Sequence, residues 1–171
     1  MGEQGDTPGG RPELTVARIA LGCGNFGGIG SAPEFFGQGL TQDQAFELMD
    51  AAWESGIGWF DTADAYGGGR SERAIGRWMA SRGVRPRLTT KTFNPMAAGA
   101  GHGLKPDRIA RQLRSSLDRL GVDRVELYLA HEFDPETPVD EWREKTGGLI
   151  ELFIQISERI GNVGFGHTST R

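Results

Sequence analysis

One cysteine, Cys23, and three histidines are all that the 171 residues contain of the soft metal ligands. A single thiol has no partner for an intramolecular disulfide, and so few Cys and His residues give no expectation of structural zinc. A lone free thiol suits a reducing compartment, so a cytoplasmic location is expected. The net charge of -4 and the absence of basic runs leave no electrostatic footprint for nucleic acid. No apolar run approaches the roughly 18 residues that a membrane span requires. Met1 to Pro12 has neither the basic start nor the apolar centre of a secretory signal, and residues 1–13 read as a disordered leader. Glycine, by contrast, is abundant: its 27 residues cluster in stretches 22–39, 67–69 and 99–103. Such stretches make turns, and they also let backbone approach a ligand closely.

Between the glycine stretches, short apolar runs alternate with helical stripes. Val16 to Leu21 reads as a first strand, ending at Gly22-Cys23-Gly24. Thr41 with Gln44 has the capping-box pattern, after which Ala45, Leu48, Met49, Ala52 and Trp53 make one apolar helical face ended by Gly56. Ile57 to Phe60 reads as a second strand. Ser71 is the expected N-cap of a helix running to Ser81, which buries Ile75, Trp78 and Met79 and stops at Gly83. Arg87 to Lys91 is a third strand. Pro106 suits the first position of a helix with the stripe Ile109, Leu113, Leu117 and Leu120, stopped by Gly121. Val125 to Ala130 is a fourth strand. Strand starts about 30 to 38 residues apart, each followed by an amphipathic helix, predict parallel βαβ units. A further helix from Pro138, a stripe Leu149, Phe153, Ile156 and Ile160 read as a core face, and a short strand near Asn162 to Phe165 complete the chain.

Polar residues recur where these strands end. Asp61 follows Trp59-Phe60, Tyr66 lies five residues on, Lys91 closes the third strand, and His131 follows the fourth. Taken singly, each has an ordinary structural reading: turn former, packing ring, solvated strand end, loop histidine. Together they suit proton transfer. A free phenol ionises near pH 10, about three units from neutrality, and a neighbouring ammonium favours its phenolate form. A carboxylate can hold that ammonium, and a histidine can orient a substrate oxygen. The set fits protonation of a carbonyl oxygen as a hydride reaches its carbon, without a metal. Sites in α/β barrels lie at the C-terminal strand ends, so the positions add weight.

The run Gly58-Trp59-Phe60-Asp61-Thr62-Ala63-Asp64-Ala65-Tyr66-Gly67, followed by Ser71-Glu72-Arg73-Ala74-Ile75-Gly76, closely resembles the signature of the aldo-keto reductase family. Thr90-Lys91 and Leu129-Ala130-His131 match the family's next two landmarks, and the resemblance spans roughly residues 14 to 141. In style it is closer to the bacterial and potassium-channel-β-like branch. The resemblance implies an α/β fold of the (β/α)8 TIM-barrel type that binds NADPH without a Rossmann domain. It implies a small-molecule aldehyde or ketone as substrate, Tyr66 as general acid, Lys91 and Asp61 as the pair that tunes it, and His131 as substrate orienter. It also places Gly22, at the first strand's end, and Asp61 beside the cofactor.

Gly22-Cys23-Gly24-Asn25-Phe26-Gly27 also matches the dinucleotide fingerprint G-x-G-x-x-G. A true fingerprint opens directly into a helix, and no helix is expected here before Thr41. Glu132, Asp134 and Glu136 read as a solvated loop rather than a metal cluster, and His102 has no evident role. Phe35-Phe36 either lines an apolar pocket or pins its loop.

A complete barrel of this kind takes roughly 250 residues. The expectation here is its first half: four βα units and, at most, a fifth strand. Residues 142–171 depart from the family pattern, either as a diverged fourth helix and fifth strand or as unrelated sequence. If Val163 to His167 is that strand, Gly166 and His167 stand where the family holds the nicotinamide carboxamide, which makes His167 a candidate cofactor ligand. A half barrel exposes two sheet edges and so invites self-association. Two functions therefore stand side by side: an NADPH-dependent carbonyl reductase, and a catalytically inactive fragment with at most an interaction or regulatory role.

Overall fold

A computed structural model of the chain describes residues 19–137. The leader, the first half of the first predicted strand, and everything from Pro138 onward, including His167, lie outside the described residues. Four strands and three helices alternate: β1 (Leu21–Gly22), α1 (Gln42–Glu54), β2 (Trp59–Asp61), α2 (Arg70–Arg82), β3 (Arg87–Thr92), α3 (Pro106–Leu120) and β4 (Leu127–Ala130). The strands form one parallel sheet in the order β1-β2-β3-β4. Sequential parallel strands joined by helices are the βαβ pattern that the spacing predicts.

The helix boundaries follow from local chemistry. Thr41 caps α1 in a full capping box: its hydroxyl accepts from the Gln44 N–H, and the Gln44 side chain accepts from the Thr41 N–H. Pro106 opens α3, and Gly83 and Gly121, both left-handed, close α2 and α3. α2 departs from the expected cap. Gly69 occupies the N-cap position, and Ser71 lies inside the helix. The buried Ser71 hydroxyl donates to the Cys23 carbonyl at 2.8 Å and lies 2.8 Å from the Thr62 hydroxyl. It ties α2 to the ends of β1 and β2 instead of capping its own helix.

One apolar cluster unites Phe26, Met49, Phe60, Ile75, Trp78 and Leu88 between the sheet and α1–α2. A second, under α3, joins Phe93, Leu104, Ile109, Leu113 and Tyr128. Two residues of the α1 stripe do not enter the core: Leu48 is 41% exposed and Trp53 37% exposed. Helical periodicity assigned them to the inner face. Packing covers only the flank that meets the sheet and α2, where Trp53 reaches Trp78 edge-on at 6.0 Å. Asp134 is another correction. It is buried, not solvated, and its carboxylate accepts the backbone N–H groups of Leu104 and Glu136.

The glycine stretch after β1 contains no α-helix. A single 3-10 turn, Pro33–Phe35, interrupts it, so the fingerprint does not lead into a phosphate-binding helix. The loop instead packs backbone to backbone against the turn Tyr66–Gly68. A Cβ at Gly28 would lie 2.5 Å from the Cα of Gly67, and the Gly67 N–H donates to the Gly30 carbonyl at 3.0 Å. Phe36 pins this loop, lying beneath the Arg70 guanidinium at 6.0 Å, while Phe35 is exposed. His102 rests against the Phe93 ring at 5.5 Å.

Candidate active site

Parallel register sets the strand ends side by side. Gly22 pairs with Asp61, Asp61 with Thr89, and Lys91 with Leu129, one residue short of the Thr92–Ala130 pair that closes the sheet. His131 follows directly, and its N–H donates to the Thr92 carbonyl at 2.9 Å. Tyr66 opens the 3-10 turn after β2. Four residues spread along the sequence thereby face one mouth.

Their contacts form a continuous set. The Lys91 ammonium is paired with Asp61 Oδ1 and donates to the Thr62 carbonyl at 3.0 Å. The same Nζ lies 5.1 Å from the centre of the Tyr66 ring. The Tyr66 hydroxyl stands 3.4 Å from His131 Nε2, with the two rings edge to face at 5.3 Å. That separation exceeds a normal O–H···N bond, so a third oxygen can take a hydrogen bond from each. Burial, reinforced by the Lys91 charge, holds the His131 imidazole below its ordinary value, against the opposing pull of Glu132 and Asp61. The ring is therefore neutral at neutral pH. Its Nδ1 is buried with no hydrogen-bond partner among the described residues.

Gly22 meets the site through its pairing with Asp61, and a side chain there would meet nothing within 4 Å among the described residues. Gly24 lies against the Tyr66 ring at 3.8 Å. Cys23 is buried, and burial pushes its thiol far up, so it is a packing residue without nucleophilic character. No group of metal-binding side chains occurs among the described residues.

A layer of buried polar groups behind the site was not anticipated from sequence. Glu72 is fully buried, accepting from Thr90 Oγ1 at 2.6 Å and from Arg119 Nε at 2.6 Å. Asp64 accepts from Thr92 Oγ1 at 2.7 Å. A signal for this layer does exist: β3 reads Arg-Leu-Thr-Thr-Lys-Thr, a central strand with one aliphatic residue. Buried hydroxyls require partners, and the carboxylates of the preceding βα unit supply them.

Comparison with known proteins identifies the lineage. Residues 18–163 match the Aldo/keto reductase family, and the chain belongs to that family. The uncharacterized oxidoreductase YrpG of Bacillus subtilis is 38% identical over 144 residues, which cover 77% of this chain and 41% of that protein. An NADP(+) aldo-keto reductase of Schizosaccharomyces pombe is 32% identical over 160 residues, covering 91% of this chain and 44% of its own. Among solved structures, the holo form of an aldo-keto reductase from Bacillus halodurans has a TM-score of 0.57 at 26% identity, covering 82% of this chain and 42% of that one. A glycerol dehydrogenase from Gluconobacter oxydans has a TM-score of 0.63 at 26% identity, covering 88% and 44%. The fold class is accordingly that of the (β/α)8 barrel, present here in part. The chain spans less than half the length of these relatives.

Proposed function

We propose that these residues carry the proton-transfer half of a nicotinamide-dependent carbonyl reductase site. The supporting observation is the convergence of Tyr66, His131, Lys91 and Asp61 at one end of the sheet. Tyr66 donates its proton to the oxygen of an aldehyde or ketone. The Lys91 ammonium stabilises the phenolate left behind, and Asp61 holds that ammonium in place. Neutral His131 donates from Nε2 to the same substrate oxygen and fixes its position, as a preorganised donor does. Asp61 and Gly22, paired at the ends of β2 and β1, are the residues that would hold such a cofactor, and a side chain at Gly22 would enter open space among the described residues. His167 is a further candidate from sequence alone. The bound cofactor, NADPH by analogy with the Schizosaccharomyces pombe relative, supplies the hydride.

A second reading draws on coverage. The relatives are matched over 41–44% of their length, and β1 and β4 each leave one sheet edge unpaired among the described residues. On this reading the 171 residues alone self-associate through those edges and turn nothing over. Titrating the purified chain with NADPH, followed by cofactor fluorescence and run beside a sizing column, separates the two. Saturable binding in any oligomeric state supports the reductase, and absence of binding in every state supports the second reading.

A further inference from the structure

A closed ring of contacts runs behind the Tyr66–His131 pair, and Asp64 is its keystone. Asp64 is fully buried two positions before Tyr66. Its N–H donates to the Lys91 carbonyl at 2.9 Å, and its Oδ2 accepts from Thr92 Oγ1 at 2.7 Å. Thr92 in turn accepts the His131 N–H on its carbonyl at 2.9 Å. Two bonds therefore join the Tyr66 turn to β3 here: the backbone bond from Asp64 to Lys91, and the side-chain bond from Thr92 to Asp64, which a substitution can remove. The Tyr66 hydroxyl and His131 Nε2 close the ring at 3.4 Å.

The orientation of that bond is fixed from the other side. Arg108 Nη1 donates to Thr92 Oγ1 at 3.1 Å, and its Nη2 is anchored on the Asn94 carbonyl at 2.8 Å. With an acceptor site of the Thr92 oxygen occupied, the hydroxyl proton is directed at Asp64. The groups facing Asp64 are Glu72 from α2, Arg108 and Arg119 from α3, and Tyr128 from β4. Burial, foremost, lifts its carboxyl to about 6, which leaves it ionised at pH 7 and its bond from Thr92 charge-assisted, about twice as strong as a neutral one. Asp64 Oδ1 has no hydrogen-bond partner among the described residues. A buried charge with one orphaned oxygen destabilises the fold, so packing alone does not account for a carboxylate here.

We propose that Asp64 is a positioning residue for the Tyr66–His131 pair, acting through Thr92 and touching no reacting atom. It rests on the reading of Tyr66 and His131 as the site. The test needs no turnover. Nuclear Overhauser contacts between the Tyr66 and His131 rings are measured by NMR on the full 171-residue chain, assigned with Tyr66→Phe and His131→Gln. The wild type is compared with Asp64→Ala, Thr92→Val and Thr92→Ser, with a thermal melt for each. The ring contact is expected in the wild type and in Thr92→Ser, which keeps the hydroxyl. It is expected to vanish in Asp64→Ala and Thr92→Val while both still melt cooperatively. An unchanged contact in either folded variant overturns the proposal alone. Collapse of both variants also overturns it, because Asp64 then serves the fold rather than the site. A wild type without the contact overturns the reading of the site and the proposal with it.

Discussion

The Tyr66 hydroxyl and His131 Nε2 stand 3.4 Å apart across 65 positions of sequence. No local element brings them together. Three parallel strands in register bring them to one end of the sheet, and the Lys91–Asp61 pair holds an ammonium beneath the Tyr66 ring. A phenol facing a neutral imidazole, with a cation behind it, can pass a proton to an oxygen that lies within hydrogen-bond reach of both.

Glu72 anchors the layer below the site. It is fully buried and pairs with Arg119 and Thr90. Glu72→Ala strands the Arg119 guanidinium against α2, and removing one partner of a buried pair costs about 3–5 kcal/mol. Urea denaturation is expected to show an unfolding free energy lowered by that amount. A change below about 1 kcal/mol, the worth of an exposed pair, would contradict the burial of this interaction.

Asp64 makes stability pH-dependent in a defined direction. Its carboxyl rises from 3.8 unfolded to about 6 folded, chiefly through burial, with Glu72 adding and the Thr92 bond, Arg108 and Arg119 opposing. Below pH 4 it is protonated in both states and costs nothing. Between pH 4 and 6 the folded state keeps a proton that the unfolded state has lost, so stability falls as pH rises through this window. Above pH 6 the full cost persists, about 1–3 kcal/mol for a shift of this size. Denaturation from pH 4 to 7 should therefore show the wild type losing ground relative to Asp64→Asn by that amount. Parallel curves would remove Asp64 from the account.

Thr41→Ala separates fold from site. Loss of the capping box costs about 1 kcal/mol at a solvent-exposed helix start. The melting temperature is expected to drop by a few degrees while the Tyr66–His131 ring contact is unchanged. Disturbance of that contact would mean that α1 and the site are coupled.

Much of this was legible because it depends on short-range chemistry. Thr41 with Gln44, Pro106, Gly83 and Gly121 mark helix ends through their own backbone requirements, wherever the helix packs. Asp61, Lys91 and His131 were legible because parallel strands put their C-terminal ends on one side. Ser71 was misread because a hydroxyl near a helix start serves equally as cap or as cross-link, and only the approach of the Cys23 carbonyl decides. Leu48 and Trp53 were misread because periodicity defines a helical face but not how much of it a neighbour covers. The Asp64–Thr92 and Glu72–Thr90 bonds cross between adjacent units, so they appear only once β2 and β3 are in register.

The proposed role of Tyr66 is to deliver the proton to the substrate oxygen. Its most direct test is NADPH consumption with 4-nitrobenzaldehyde by the wild type and by Tyr66→Phe, with NADPH binding measured on both. Wild-type turnover is expected, with a loss of about 10²–10⁴-fold in the variant, the usual contribution of a general acid, at unchanged cofactor affinity. Turnover by Tyr66→Phe within a few-fold of the wild type would contradict the account.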